Sequence, residues 1–164
     1  MSNVLPNLYI SSFIELPYTG LSAGDLNINA AVNLRPDVAL NVTQLNLNWN
    51  DDLEQVINKD GILFDVIKLM DSFLAKDKKV VVNCVAGVSR SASIVIAYLI
   101  YKKNMSYEQA YNFLKMKRPI INPNPSFVQQ LSYLEKQLQT LNPQNKVSPL
   151  VALTSVRSVS TYFD

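Results

Sequence analysis

The chain has no histidine anywhere in its 164 residues. That removes Ser-His-Asp and Cys-His machinery together, because neither a serine nor a thiol would have its imidazole base. Cysteine is almost as scarce, with Cys84 standing alone. One thiol cannot close an internal disulfide, so a reducing compartment is expected, the cytoplasm first and the nucleus second. With no histidine and one cysteine, a structural zinc site has too few ligands, and no metal or cofactor is expected. Net charge is only +2, which gives no footing for nucleic acid or an anionic membrane as partner. No apolar run approaches the length of a membrane span. The opening MSNVLPNLYISSF lacks the basic and apolar regions of a signal peptide, and neither end carries a lipidation pattern.

What is present fits one soluble α/β domain, with 48% hydrophobic and 17% charged residues. Its length supports a substantial core without disulfide or metal. Val4–Ser11 reads as an edge strand, with Pro6 tolerable near its start. Residues 12–24 read as loop with a short helical turn, and Ile28–Leu34 as a central strand stopped by Arg35-Pro36-Asp37. Val42–Trp49 alternates like a strand. Asn50–Gly61 is a polar, acidic loop, and Ile62–Leu74 is an amphipathic helix. A helix over Ser106–Met116 has Ser106 and Gln109 placed as a capping box and Pro119 as its stop. Pro123 and Pro125 mark a turn before a last helix, Phe127–Leu141. From residue 142 the pattern decays, so residues 1–141 are expected as the catalytic domain and 142–164 as a flexible tail.

The chemistry concentrates in Val80–Tyr98, VVVNCVAGVSRSASIVIAY. Val80–Asn83 reads as a buried strand and Ser91 opens an apolar helix, with Ala92, Val95, Ile96 and Leu99 at helical spacing. The intervening loop runs from Cys84 to Arg90. A small-residue loop between a strand and a helix N-terminus gathers unpaired backbone N–H groups, which makes an anion cradle. Gly87 lets the backbone turn, Arg90 offers a planar fork matched to phosphoryl oxygens, and Ser91 can hydrogen-bond a thiolate where the helix dipole favours an anion. Cys84 at one end and Arg90 at the other suggest phosphate-ester chemistry without a histidine base.

Asn83-Cys84-Val85-Ala86-Gly87-Val88-Ser89-Arg90-Ser91 resembles the signature loop of the dual-specificity protein phosphatase family, H-C-x-A-G-x-S-R-S. The similarity extends to Ile96-Ala97-Tyr98-Leu99, to the Ser106–Arg118 segment, to Ile121-Asn122-Pro123-Asn124 with Phe127, Gln130 and Leu131, and to Val4–Ile10. The resemblance implies a single-domain cysteine-phosphatase fold, a central mixed or parallel sheet flanked by helices. It implies Cys84 as nucleophile through a phosphocysteine, and Arg90 with the backbone of Val85, Ala86, Gly87, Val88, Ser89 and Arg90 on the phosphoryl oxygens. Ser91 would steady the sulfur as leaving group. Asn83 and Asn124 are supporting positions, Ser89 and Asn124 bracing the loop. An upstream aspartate is the general acid, and Asp52 is favoured over Asp51 because its distance from Cys84 matches the family's spacing.

One departure from that pattern is Asn83, where the family has histidine. Asn can keep the loop's hydrogen bonds but adds no charge, so weaker thiolate stabilisation is expected. Val85, Ala86 and Val88 are small and neutral, unlike the basic loops of phosphoinositide phosphatases. Phosphorylated proteins, on tyrosine and on serine or threonine, are therefore the expected substrates. A phosphoprotein-binding pseudophosphatase, or a phosphatase of RNA 5′ ends or phospholipids, is the alternative. Lys102, Lys103, Lys115, Lys117 and Arg118 form a basic group that either attracts acidic phosphopeptides or, as is commoner, serves solubility.

Overall fold

In the computed structural model, residues 1–141 are described, and the expected tail at 142–164 lies outside them. The strands are β1 (Ser2–Leu5), β2 (Leu8–Ser11), β3 (Leu26–Ala31), β4 (Thr43–Trp49) and β5 (Val80–Asn83). The helices are α1 (Ile62–Leu74), α2 (Arg90–Lys103), α3 (Tyr107–Lys117) and α4 (Pro125–Leu141). The sheet order is β1-β2-β5-β3-β4, with β1 antiparallel to β2 and the other pairings parallel. This is the mixed sheet with flanking helices that the sequence implied. No helix among the described residues is long and apolar enough to cross a membrane.

The β-branched Val80–Val82 run is fully buried at the middle of the sheet. Helix α2 is apolar on every side because it is a core helix, buried continuously from Ser91 to Tyr101. Helix α1 supplies Phe64, which packs on Tyr101 at 5.5 Å between ring centroids. The Ser106–Gln109 capping box forms in both directions at the start of α3.

Several expected boundaries shift for local reasons. Val4–Ser11 is not one edge strand but the hairpin of β1 and β2, because Asn7 adopts φ +64° beside Pro6 and turns the chain. Strand β2 is consequently interior, with Leu8 and Ile10 fully buried, and β1 takes the edge. Strand β3 starts two residues before Ile28 and stops at Ala31. There the Asn29 side chain accepts from Ala31 N–H and donates to the Leu34 carbonyl, curling the chain away. Helix α2 begins at Arg90 rather than Ser91, since Ser93 N–H already bonds the Ser89 carbonyl. Helix α4 gains Pro125 at its first position and is capped by Asn124 Oδ1, which accepts from Phe127 N–H at 2.9 Å.

In this topology the loop after β5 lies at the carboxyl edge of the central strand, flanked by β2 and β3. Open α/β sheets place their ligand sites at that edge.

Candidate active site

The loop from Cys84 to Ser89 turns through Gly87 at φ +67°. A Cβ there would sit 2.7 Å from Arg118 Nη2 and 2.8 Å from the Ser11 carbonyl carbon and oxygen. Glycine is thus required on both conformational and steric grounds. The turn directs backbone N–H groups back at the cysteine. Cys84 is 2% exposed, and burial by itself pushes its thiol pKa up. The Ser91 hydroxyl, with Sγ to Oγ at 3.2 Å, and the N–H groups of Ser91, Val88 and Gly87 outweigh that and bring it below the usual thiol value. The thiolate is therefore stabilised by dipoles, with no imidazole involved.

Arg90 opens α2 beside this sulfur. Its Nη1 donates to the Trp49 carbonyl at 2.9 Å, which anchors the guanidinium to the end of β4. Its Nε is buried and has no acceptor among the described residues. A buried orphan donor is costly, and a phosphoryl oxygen over the loop fits it. Val85 and Ala86 are exposed on the rim, and the Val85 carbonyl accepts from Phe13 N–H at 3.0 Å.

The two acidic candidates separate clearly. Asp51 Oδ1 accepts from Ser89 Oγ at 2.9 Å and from Asn124 Nδ2 at 2.8 Å. Ser89 Oγ in turn accepts from Asn124 N–H, and the Val88 carbonyl accepts from Asn122 N–H. Ser89 and Asn124 thus tie the loop to the start of α4 and fasten Asp51 to it. Asp52 points elsewhere. Its Oδ1 accepts from the N–H groups of Glu54 and Gln55, so its carboxylate is spent closing its own turn. The expectation of Asp52 rests on spacing along the chain, which does not fix which way a side chain faces, and it is Asp51 that faces the loop.

Asn83 is fully buried and belongs to a row of asparagines across the sheet. Asn27 Nδ2 donates to Asn83 Oδ1 at 2.9 Å and to the Val81 carbonyl. Asn83 Nδ2 then donates to Asn29 Oδ1 at 3.2 Å and to the Cys84 carbonyl at 3.4 Å. Asn29 Nδ2 continues to Asn46 Oδ1. Because a backbone carbonyl only accepts, the Val81 contact fixes the orientation of Asn27, and that fixes Asn83. The Asn83 amide therefore has a defined direction.

Two features around the loop, the buried Arg118 and the asparagine row, escaped sequence reading. Arg118 is no substrate-attracting surface charge: it is 4% exposed and bonded to the Gly87 and Ala86 carbonyls and to Glu15. Lys102 is likewise occupied, paired with Asp71 at 2.9 Å. The alternating Asn27 and Asn29, two polar residues on one face of an otherwise apolar strand, were a legible signal. The Arg118 contacts had none, since their partners lie 31 to 116 residues away.

The family model "Dual specificity phosphatase, catalytic domain" matches residues 8–137. The chain belongs to the dual specificity phosphatase family. A protein of Invertebrate iridescent virus 6 named as a tyrosine phosphatase, 123R, is 31% identical over 149 residues, covering 86% of this chain and 96% of that one. Mouse dual specificity protein phosphatase 6 is 33% identical over 117 residues, 70% of this chain, and the match spans only 29% of its length. Among solved structures, human DUSP28 superposes with a TM-score of 0.75 at 26% identity, covering 85% of this chain and 99% of that one. A human tyrosine phosphatase-like serine/threonine/tyrosine-interacting protein superposes with a TM-score of 0.73 at 28% identity, covering 84% and 96%. The dual specificity phosphatases are cysteine-based, metal-independent protein phosphatases that work through a phosphocysteine, and Cys84 is the one cysteine of this chain.

Proposed function

We propose that this dual specificity phosphatase removes phosphate from phosphotyrosine and from phosphoserine or phosphothreonine in proteins, with Asp51 as its general acid. The observation that carries the reading is the convergence of Gly87, Val88 and Ser91 N–H groups on a buried Cys84 whose thiol pKa is lowered. The Cys84 thiolate attacks phosphorus as the ester P–O bond breaks. Asp51 gives its proton to the departing oxygen, and Arg90 with the loop N–H groups stabilises the phosphoryl oxygens as charge develops. In the second step Asp51 takes a proton from water, water attacks phosphorus, and the sulfur leaves onto the hydrogen bond from Ser91.

The small, neutral Val85, Ala86 and Val88 favour a phosphoprotein over a highly anionic inositol headgroup. Residues 1–141 form the catalytic domain in this reading, and signalling in a reducing cytoplasm or nucleus suits an unpaired reactive thiol. The rival is a phosphoprotein-binding module, kept in view by Asn83 and by the likeness to a phosphatase-like interacting protein.

Hydrolysis of phenyl phosphate and of phosphopeptides across pH, without added metal, decides between them. Wild type turns over and Cys84→Ser does not. Asp51→Asn falls by roughly 10² to 10⁴ in kcat with poor leaving groups, while Asp52→Asn stays near wild type. An inert wild type that still binds phosphopeptide overturns the enzyme. The reverse order of the two aspartate variants overturns the assignment of the acid.

A further inference from the structure

Arg118 lies behind the phosphate loop, at the C-terminal end of α3. Its guanidinium has five N–H groups, and there are five contacts. Nε donates to the Gly87 carbonyl at 2.8 Å and Nη2 to the Ala86 carbonyl at 3.3 Å. Nη2 also donates to Glu15 Oε2 at 2.9 Å, while Nη1 donates to Glu15 Oε1 at 3.4 Å and to Ser2 Oγ at 3.2 Å. Glu15 is itself tied down by Ser12, whose N–H donates to Oε2 at 2.6 Å and whose Oγ accepts from Glu15 N–H. With every donor engaged and only 4% exposed, Arg118 has nothing left to offer a substrate phosphate.

Its effect reaches the sulfur through two peptide planes. The Ala86 carbonyl and the Gly87 N–H belong to one planar unit, and the Gly87 carbonyl and the Val88 N–H belong to the next. In a trans peptide these groups point in opposite directions. A residue that holds both carbonyls on one side therefore aims both N–H groups to the other side, where Cys84 lies.

We propose that Arg118, held by Glu15, is a positioning residue for the nucleophile: it clamps the Ala86 and Gly87 carbonyls so that the Gly87 and Val88 N–H groups face the Cys84 sulfur. The proposal rests on Cys84 being the reactive thiol of the family mechanism. The clamp acts by geometry, because one planar guanidinium spans the two loop carbonyls and the Glu15 carboxylate, which it shares with the N-terminal ammonium of Met1. A lysine at this position keeps the charge but cannot span two carbonyls and a carboxylate. The need for glycine at position 87 belongs to the same device, because a Cβ there would strike both the clamp and the β2 backbone.

The test is the pH dependence of Cys84 alkylation by iodoacetate, which is unambiguous in a chain with one cysteine and needs no turnover. In Arg118→Lys and Arg118→Met the midpoint moves to higher pH, and alkylation near pH 6 slows by roughly threefold or more. Circular dichroism at the assay temperature verifies that each variant is folded. Glu15→Gln, a milder change that keeps the side chain's size, moves the midpoint the same way by less. If Arg118→Lys keeps the wild-type midpoint, the clamp is refuted. A shift in Arg118→Met that Arg118→Lys does not share shows that charge, not geometry, acts there, and also overturns it. Where both Arg118 variants fail to fold, an unmoved midpoint in folded Glu15→Gln refutes it. A wild type that alkylates with a lowered midpoint but hydrolyses no ester separates this result from failure of the phosphatase reading.

Discussion

Replacing Gly87 by alanine adds one methyl group at the tightest point of the loop, and the structure lets its cost be estimated. At φ +67° an L-residue pays about 1–2 kcal/mol for the left-handed conformation. The new Cβ also meets Arg118 Nη2 at 2.7 Å and the Ser11 carbonyl group at 2.8 Å. Neither neighbour yields easily. Ser11 is backbone of β2, paired in register with Asn83 of β5, and Arg118 is held by Glu15 and two loop carbonyls. Overpacking of this kind costs about 1–3 kcal/mol. The sum, about 2–5 kcal/mol, lowers the melting temperature by roughly 5–15 °C for a chain of this size. Relief comes most readily by rotating the 86–87 and 87–88 peptides, which turns their N–H groups off the sulfur. Losing one such donor costs about 10²–10³ in kcat, so the activity loss should far exceed the unfolded fraction. The assay pairs thermal melts with aryl phosphate hydrolysis measured well below the variant's transition. A Gly87→Ala protein within about 1 °C and threefold of wild type would show that the loop is softer than argued and that its N–H directions are not fixed by these neighbours.

Ser91→Ala removes a direct hydrogen bond to Cys84 Sγ. The thiol pKa should rise toward its ordinary value in alkylation titrations, and the phosphocysteine should accumulate in rapid-quench experiments as sulfur becomes the poorer leaving group. Asn83→Ala takes one acceptor from Asn27 Nδ2 and one donor from Asn29 Oδ1, leaving them the Val81 carbonyl and the Ala31 N–H. It should cost about 1–3 kcal/mol by denaturant unfolding, and Asn27→Ala with Asn83→Ala less than the sum of the singles. The Glu15 carboxyl sits at about 2 rather than 4.5. Burial, the largest influence, raises it, but hydrogen bonds from Arg118, the N-terminal ammonium and Ser12 pull it lower. A depressed carboxylate adds stability that is full above its unfolded value and lost as pH falls through the folded one. The melting temperature should therefore drop between pH 4.5 and about 2, and Arg118→Met should flatten that drop.

The strand–loop–helix unit was legible because its signals are local. The Val80–Val82 run, the small loop residues and the apolar run after Ser91 each report on neighbours a few positions away, and so did the capping box of Ser106 and Gln109. The site's remaining parts depend on contacts that sequence spacing does not carry. Asp51 and Asp52 differ by one position, and the choice between them lies in which carboxylate closes its own turn and which reaches Ser89 and Asn124. The basic residues at the end of α3 look alike in sequence, yet Lys117 remains exposed while Arg118 turns inward to two carbonyls. The asparagines fall between these cases. Asn27 and Asn29 announce a polar row by their period, but only the strand order β5-β3-β4 sets Asn83 and Asn46 on either side of Asn29. That row bears on the residue just before Cys84. A histidine before the cysteine titrates near neutrality, whereas this amide has no charge to lose and its direction is fixed from both sides. With no histidine in the chain, the acid limb of the pH–rate profile should report the Cys84 thiol without an imidazole contribution. Introducing Asn83→His should add a second ionisation to that limb, and a profile of unchanged shape in the folded variant would show that this position does not communicate with the thiol.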